Sequence, residues 1–204
     1  MKTPTIYDTI ALMRDLHGDQ KDKAGAPYWT HPLRVMLRLG QDAHPVERHA
    51  ALLHDTIEDC GILPLFLAKR GYDAAVLYVV GLMTGGFPSA GAYRSYIDDI
   101  AESGNVWAIR VKLADLYDNS APLRQPLTDP GLANMVQKRY LPAIKRLEDV
   151  LQKWRVGFPI AGDPAHGSHG ADFYPPYVSR TSATPDLAMT IRLETAIKLR
   201  AFGE

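Results

Sequence analysis

In the run Ala50-Ala51-Leu52-Leu53-His54-Asp55-Thr56-Ile57-Glu58-Asp59, an imidazole and three carboxylates fall within six residues of a mostly apolar segment. On a helix, residues three and four apart share a face, so the spacing predicts Glu58 over His54 and Asp55, and Asp59 over Asp55. Carboxylates that close raise one another's pKa, and a divalent cation turns their repulsion into ligation. The run asks for a metal.

Two further segments offer ligands. His31 lies in Tyr28-Trp29-Thr30-His31-Pro32, where Pro32 suits a first helical position and leaves His31 near the N-cap at an exposed helix entrance. Asp115 lies in Val111-Lys112-Leu113-Ala114-Asp115-Leu116-Tyr117-Asp118-Asn119, with Lys112 three residues before it and Asn119 four after it on one helical face. His31, His54, Asp55 and Asp115 together make two imidazoles and two carboxylates, a mixed shell that suits Mn, Fe, Ni or Zn better than Mg or Ca. Tyr93 and Tyr96, three apart in Ala92-Tyr93-Arg94-Ser95-Tyr96-Ile97, could stack on a base or simply pack at the rim of the core. Glu58 and Asp59 have a plain alternative as a solvated helix end before Cys60-Gly61, although acid at a helix C-terminus opposes the dipole.

The order His, then His-Asp, then a distant Asp resembles the HD metal-dependent phosphohydrolases. The words Gln20-Lys21-Asp22-Lys23-Ala24-Gly25-Ala26-Pro27-Tyr28-Trp29-Thr30-His31-Pro32, Ala51 to Asp59 and Val111 to Asp115 followed by Asn119 are similar to the hydrolase domain of the Rel/SpoT alarmone enzymes. The likeness spans roughly residues 5 to 155, which leaves no room for a synthetase domain and implies a stand-alone small alarmone hydrolase. The resemblance implies removal of the 3′-pyrophosphate from guanosine tetra- and pentaphosphate with one Mn2+ ion. It implies metal binding by His31, His54, Asp55 and Asp115, water activation by Glu58 and Asp59, and a sugar contact by Asn119, for which a helix C-cap is the alternative role. The chain departs from the family at Asp22-Lys23, where the basic pair is usually Arg-Lys, and at Asn119-Ser120-Ala121-Pro122, where Asn-Met-Arg-Thr is usual. Both departures fall on substrate recognition, so an adenosine alarmone stands beside the guanosine one. Lys23, Lys112, Arg110 and Arg124 are the candidate cations for a leaving pyrophosphate, and Asp22 is a candidate acceptor for amino groups of a base. A non-catalytic nucleotide sensor and an HD phosphatase for ordinary nucleotides are the competing readings.

The elements that must carry these residues are helical throughout. Ile6, Ile10, Met13 and His17 share a face, Pro32 to Leu39 ends at Gly40, and Pro45 opens the helix of His54. Helices follow near 64–69, 74–83, 92–102 and 106–117, and Asp129-Pro130 starts a long one to Trp154 that Pro142 should kink or split. The reading is an all-α HD-type bundle over residues 1–156, with 157–204 as a C-terminal loop and helix packing on the bundle or between subunits of a homo-oligomer. In that tail Gly157 to Pro185 is irregular, Thr184-Pro185 caps a final helix bearing Met189, Leu193, Ala196 and Ile197, and His166 and His169 read as solvent-exposed.

The 23 Lys+Arg against 23 Asp+Glu give a formal net charge of +0, which provides no broad field for duplex nucleic acid or a membrane surface. Recognition must then be local, and the resemblance implies a small-molecule nucleotide substrate. The single cysteine, Cys60, excludes an intramolecular disulfide and a Cys-based zinc site and fits a reducing cytoplasm. No apolar run reaches membrane-spanning length, and Met1-Lys2-Thr3-Pro4 lacks a signal-type apolar core.

Overall fold

Thr5 opens the first helix, α1 (Ile6–His17), with a reciprocal cap: its hydroxyl accepts from Asp8 N at 3.2 Å and its own N–H donates to Asp8 Oδ2 at 2.8 Å. Such a box satisfies two N–H groups that the helix start leaves orphaned. The computed structural model describes residues 2–85, 89–121 and 130–157. After α1 come α2 (Thr30–Arg38), α3 (Pro45–Leu53), α4 (Thr56–Cys60), α5 (Pro64–Ala68), α6 (Ala74–Met83), α7 (Ala90–Glu102), α8 (Val106–Asn119), α9 (Pro130–Met135) and α10 (Leu141–Gly157). Among the described residues there is no strand, and one isolated antiparallel bridge, Lys21 to Pro27, closes the loop between α1 and α2. The fold is the expected all-α bundle. No described helix is long and apolar enough to cross a membrane.

The centre of the bundle is α3, which packs against α1, α2, α6 and α8. Its Ala50, Ala51, Leu52 and Leu53 are wholly buried, as are Val79 and Val80 of α6 and Ile109, Val111 and Leu116 of α8. Small residues on α3 let its neighbours approach closely. The α1 contact is partly polar: Thr9 Oγ1 lies 2.8 Å from both His49 Nδ1 and Tyr72 OH.

Two expectations are corrected here. His31 is not at an exposed entrance: Trp29 is the N-cap, His31 lies in the first turn of α2, and its side chain is buried where α2 meets α8. The run from Pro45 to Asp59 is not one helix either. It breaks at His54-Asp55, because His54 Nδ1 takes the Ala51 carbonyl at 2.8 Å and Thr56 Oγ1 takes the Leu53 carbonyl at 2.7 Å. Side-chain bonds to these carbonyls compete with the helical ladder. The split expected at Pro142 is present, as a π-helical turn, Val136–Tyr140, between α9 and α10. Proline there lacks an N–H and crowds the carbonyl four residues back, and a wider turn accommodates both.

Asp129, Arg124, Pro122 and the tail from 158, with His166, His169 and the expected final helix, lie outside the described residues.

Candidate metal centre and active site

The break between α3 and α4 turns Asp55 toward α2 and α8 while His54 stays at the end of α3. His54 Nε2 then lies 3.0 Å from Asp55 Oδ2 and 3.6 Å from Asp115 Oδ1. His31 Nε2 lies 3.5 Å from the same Asp55 oxygen and 3.2 Å from the same Asp115 oxygen. His31, His54 and Asp115 each offer one ligand atom within 4.8 Å of the others, and Asp55 Oδ2 adjoins both imidazoles.

The ring suits a divalent transition ion. Bonds of about 2.0–2.2 Å put neighbouring ligands of a tetrahedral or octahedral ion roughly 3.0–3.5 Å apart, close to the imidazole-to-carboxylate distances of 3.0, 3.2, 3.5 and 3.6 Å. Both imidazoles are turned as a metal needs. Nδ1 of His54 donates to the Ala51 carbonyl at 2.8 Å, and Nδ1 of His31 donates to Asp118 Oδ2 at 2.8 Å. With Nδ1 engaged behind the ring, Nε2 of each ring faces the centre, where a metal would take its lone pair. His54 Nε2 is buried and has no hydrogen bond of good geometry. Burial opposes charge on His54, yet the Asp55 and Asp115 carboxylates outweigh it and push its pKa up to about 10. Those carboxylates demand a positive charge at the centre, and a divalent ion answers the same demand as that proton.

Around the ring the donors are shared. The Tyr28 hydroxyl donates to Asp55 Oδ2 at 2.7 Å, Asn119 Nδ2 to Asp115 Oδ1 at 2.6 Å, and Lys112 Nζ to Asp115 Oδ2 at 2.9 Å. Burial alone would depress Lys112, but the Asp115 charge holds its ammonium well above the ordinary lysine value. The ring opens on a cavity of about 160 Å³ lined by Tyr28, His31, Asp55, Glu58, Lys112, Asp115 and Asn119. Tyr93, Tyr96 and Tyr140 line it as well. Glu58 Oε2 accepts from Gly85 N at 3.2 Å, and burial, with Asp55 and Asp59 adding to it, pushes the Glu58 carboxyl up to about 7 against that hydrogen bond.

Sequence comparison supplies the ancestry. The chain is 37% identical over 122 residues to the guanosine-3′,5′-bis(diphosphate) 3′-pyrophosphohydrolase of Aquifex aeolicus, a match covering 56% of the chain and 17% of that protein. It is 35% identical over 117 residues to the GTP pyrophosphokinase of Streptomyces coelicolor, covering 53% of the chain and 13% of that protein. The chain is homologous to the SpoT/Rel proteins. It spans well under a fifth of the length of these curated relatives. A solved structure described as a metazoan ortholog of SpoT that hydrolyses ppGpp and plays a role in starvation responses shares the fold, with a TM-score of 0.59 and 21% identity over 98% of both chains. No family model matches the chain.

The remaining expected residues divide. Tyr93, Lys112 and Asn119 line the cavity, whereas Asp59, Asp22 and Lys23 are not among its lining residues. Asp22 Oδ1 accepts from Ala24 N and Ala26 N, each at 2.9 Å, so that oxygen shapes its own loop. Lys23 is exposed in that loop. Arg110, a candidate cation, instead pairs with Glu47 Oε1 at 2.8 Å. Sequence reasoning missed Tyr28, Tyr140 and Asp118. Asp118 was recoverable, since three residues after Asp115 it shares that residue's helical face. Tyr140 depends on the π turn and left no sequence signal.

Proposed function

We propose that the chain is a metal-dependent pyrophosphohydrolase that removes the 3′-pyrophosphate from an alarmone nucleotide, (p)ppGpp or (p)ppApp, with Mn2+ as its ion. The observation that carries this reading is the ring of His31, His54, Asp55 and Asp115 with the Glu58 carboxylate on the wall of the same cavity. It is supported by homology to a protein named for 3′-pyrophosphohydrolase activity and by a shared fold with one described as hydrolysing ppGpp. A cytoplasmic setting belongs to the same reading, on the strength of the single cysteine.

A divalent ion, when bound, lowers the pKa of a water and neutralises charge on a phosphoryl oxygen. The chain's own residues do the rest. Glu58 takes the proton of the attacking water, for which it must reach to about 3 Å directly or through one further water. A carboxylate tuned toward neutrality suits that task, because it is ionised near neutral pH yet basic enough to accept. Asp59, next in the chain, orients Glu58. Lys112 balances charge on the leaving pyrophosphate, Lys23 meets phosphate from the α1–α2 loop, and Asn119 contacts the sugar. The phenol rings of Tyr93 and Tyr140 give the base a wall to stack on.

The test incubates the Mn2+-loaded chain with guanosine and adenosine 3′-pyrophosphates and with common nucleotides, and resolves products by chromatography. The expected result is release of pyrophosphate from one or both alarmones and none from ordinary nucleotides. Tight binding without turnover would make the chain a sensor, and cleavage of ordinary nucleotides would make it a general HD phosphatase.

A further inference from the structure

The two imidazoles of the ring are held from behind by different chemistry. His54 Nδ1 donates to a neutral acceptor, the Ala51 carbonyl of its own helix. His31 Nδ1 donates at 2.8 Å to a carboxylate from another helix, Asp118 Oδ2, and both side chains are about 1% exposed. Asp118 is itself clamped by α2: Arg34 Nε reaches its two oxygens at 3.0 and 3.2 Å, Arg34 Nη2 lies 3.0 Å from Oδ2, and Arg38 Nε lies 3.1 Å from Oδ1. Arg34 is steadied in turn by Thr30 Oγ1, 2.9 Å from Nη1. Guanidinium N–H groups only donate, and they reach both oxygens of Asp118, so this carboxylate is set to accept from His31 Nδ1 as well.

We propose that Asp118 is the positioning residue of the metal centre: it keeps the His31 proton on Nδ1 so that the Nε2 lone pair faces Asp55 and Asp115, and Arg34 and Arg38 hold it in place. The inference rests on the metal-centre reading above. The need for it is a competition. Two carboxylates in front of the ring, 3.2 and 3.5 Å from Nε2, draw the proton to the face where a metal must bind. A carboxylate behind the ring draws it the other way, and a neutral acceptor would do so less strongly. His54 faces the same two carboxylates, but its Nδ1 bond lies within its own helix, where the chain fixes the geometry; His31 must be oriented across two helices. Asp118 also sits three residues from Asp115 on α8, so one helix supplies both a front ligand and the rear anchor.

The test titrates the metal-free full chain with Zn2+ and Co2+ by calorimetry, comparing the parent with Asp118→Asn and His54→Ala. Asp118→Asn should bind either metal roughly 10–100-fold more weakly, because an amide carries no charge and can turn its NH2 toward Nδ1. His54→Ala should lose binding altogether. Unchanged affinity in Asp118→Asn alongside lost binding in His54→Ala would overturn the role of Asp118 and leave the metal centre standing. Retained binding in His54→Ala would overturn the metal-centre reading itself. Should Asp118→Asn fail to fold, long-range 15N NMR of the metal-free parent, at a pH where the ring is neutral, decides. A proton on His31 Nδ1 and none on Nε2 supports the proposal, and a proton on Nε2 overturns it.

Discussion

The hydroxyl of Tyr28 donates to Oδ2 of Asp55 at 2.7 Å, tying the loop ahead of α2 to the junction of α3 and α4. That oxygen is the one facing both His31 and His54. The bond fixes which Asp55 oxygen points at the ring. Hydrogen bonds to charged groups are worth about 1.5–3 kcal/mol, so Tyr28→Phe should loosen metal binding roughly ten- to hundredfold while leaving the helical far-UV signal intact. Calorimetric titration with Mn2+ measures it. Parent-like affinity would show that packing around Asp55 suffices to orient it.

The ring itself has a sharper expectation. His54→Ala and Asp55→Ala should each abolish both stoichiometric metal and turnover, with the fold largely retained. Elemental analysis of purified protein and circular dichroism check the two halves. The fold has reason to survive, because the apolar core of Leu52, Leu53, Val79, Val80, Ile109 and Leu116 is complete without the metal. Metal retained in both variants would remove these residues from the ligand set.

Much of this was legible in the chain because the signals were local. Apolar periodicity such as that of Ile6, Ile10, Met13 and His17, and an opening proline such as Pro45, mark helices without reference to the rest of the molecule. What escaped depends on long-range placement. The break at His54-Asp55 requires knowing that His54 and Thr56 spend their side chains on α3 carbonyls, which helical spacing alone does not reveal. The burial of His31 requires knowing that α2 lies on α8. The place of Asp118 on the Asp115 face is legible, but its role depends on His31, Arg34 and Arg38 being brought to it from more than 75 residues away.

The loop between α1 and α2 should govern substrate choice less directly than its charges suggest. Because Asp22 Oδ1 accepts from Ala24 N and Ala26 N, Asp22→Arg removes a turn as well as reversing a charge. Asp22→Asn keeps an acceptor for those N–H groups. Lys23→Ala should raise KM for guanosine and adenosine alarmones alike, about tenfold for one lost charged hydrogen bond. Asp22→Arg should change the ratio of their kcat/KM values, the measure of discrimination, and Asp22→Asn should leave that ratio near the parent's. Equal ratios in all three variants would move base choice to the Tyr93 and Tyr140 wall.

If Glu58 is the general base proposed above, it should give the reaction its acid limb. Burial first, then Asp55 and Asp59, push its carboxyl up to about 7, against the Gly85 N–H bond. A general base works ionised, so kcat/KM should rise with pH through this value and level off above it. A bound divalent cation favours the ionised form and draws the midpoint below about 7. The same shift has the opposite sign for stability. A carboxyl whose folded pKa exceeds its unfolded value of about 4.3 contributes stability below that value and loses it as pH rises toward 7. Glu58→Gln should keep the metal, lose about 10²–10⁴-fold in rate and lose the acid limb. Its metal-free form should also gain thermal stability relative to the parent between pH 5 and 7. Matched pH–rate profiles and melting curves on the two proteins make the test, and a Glu58→Gln profile that still rises through the same midpoint would assign the limb to another group.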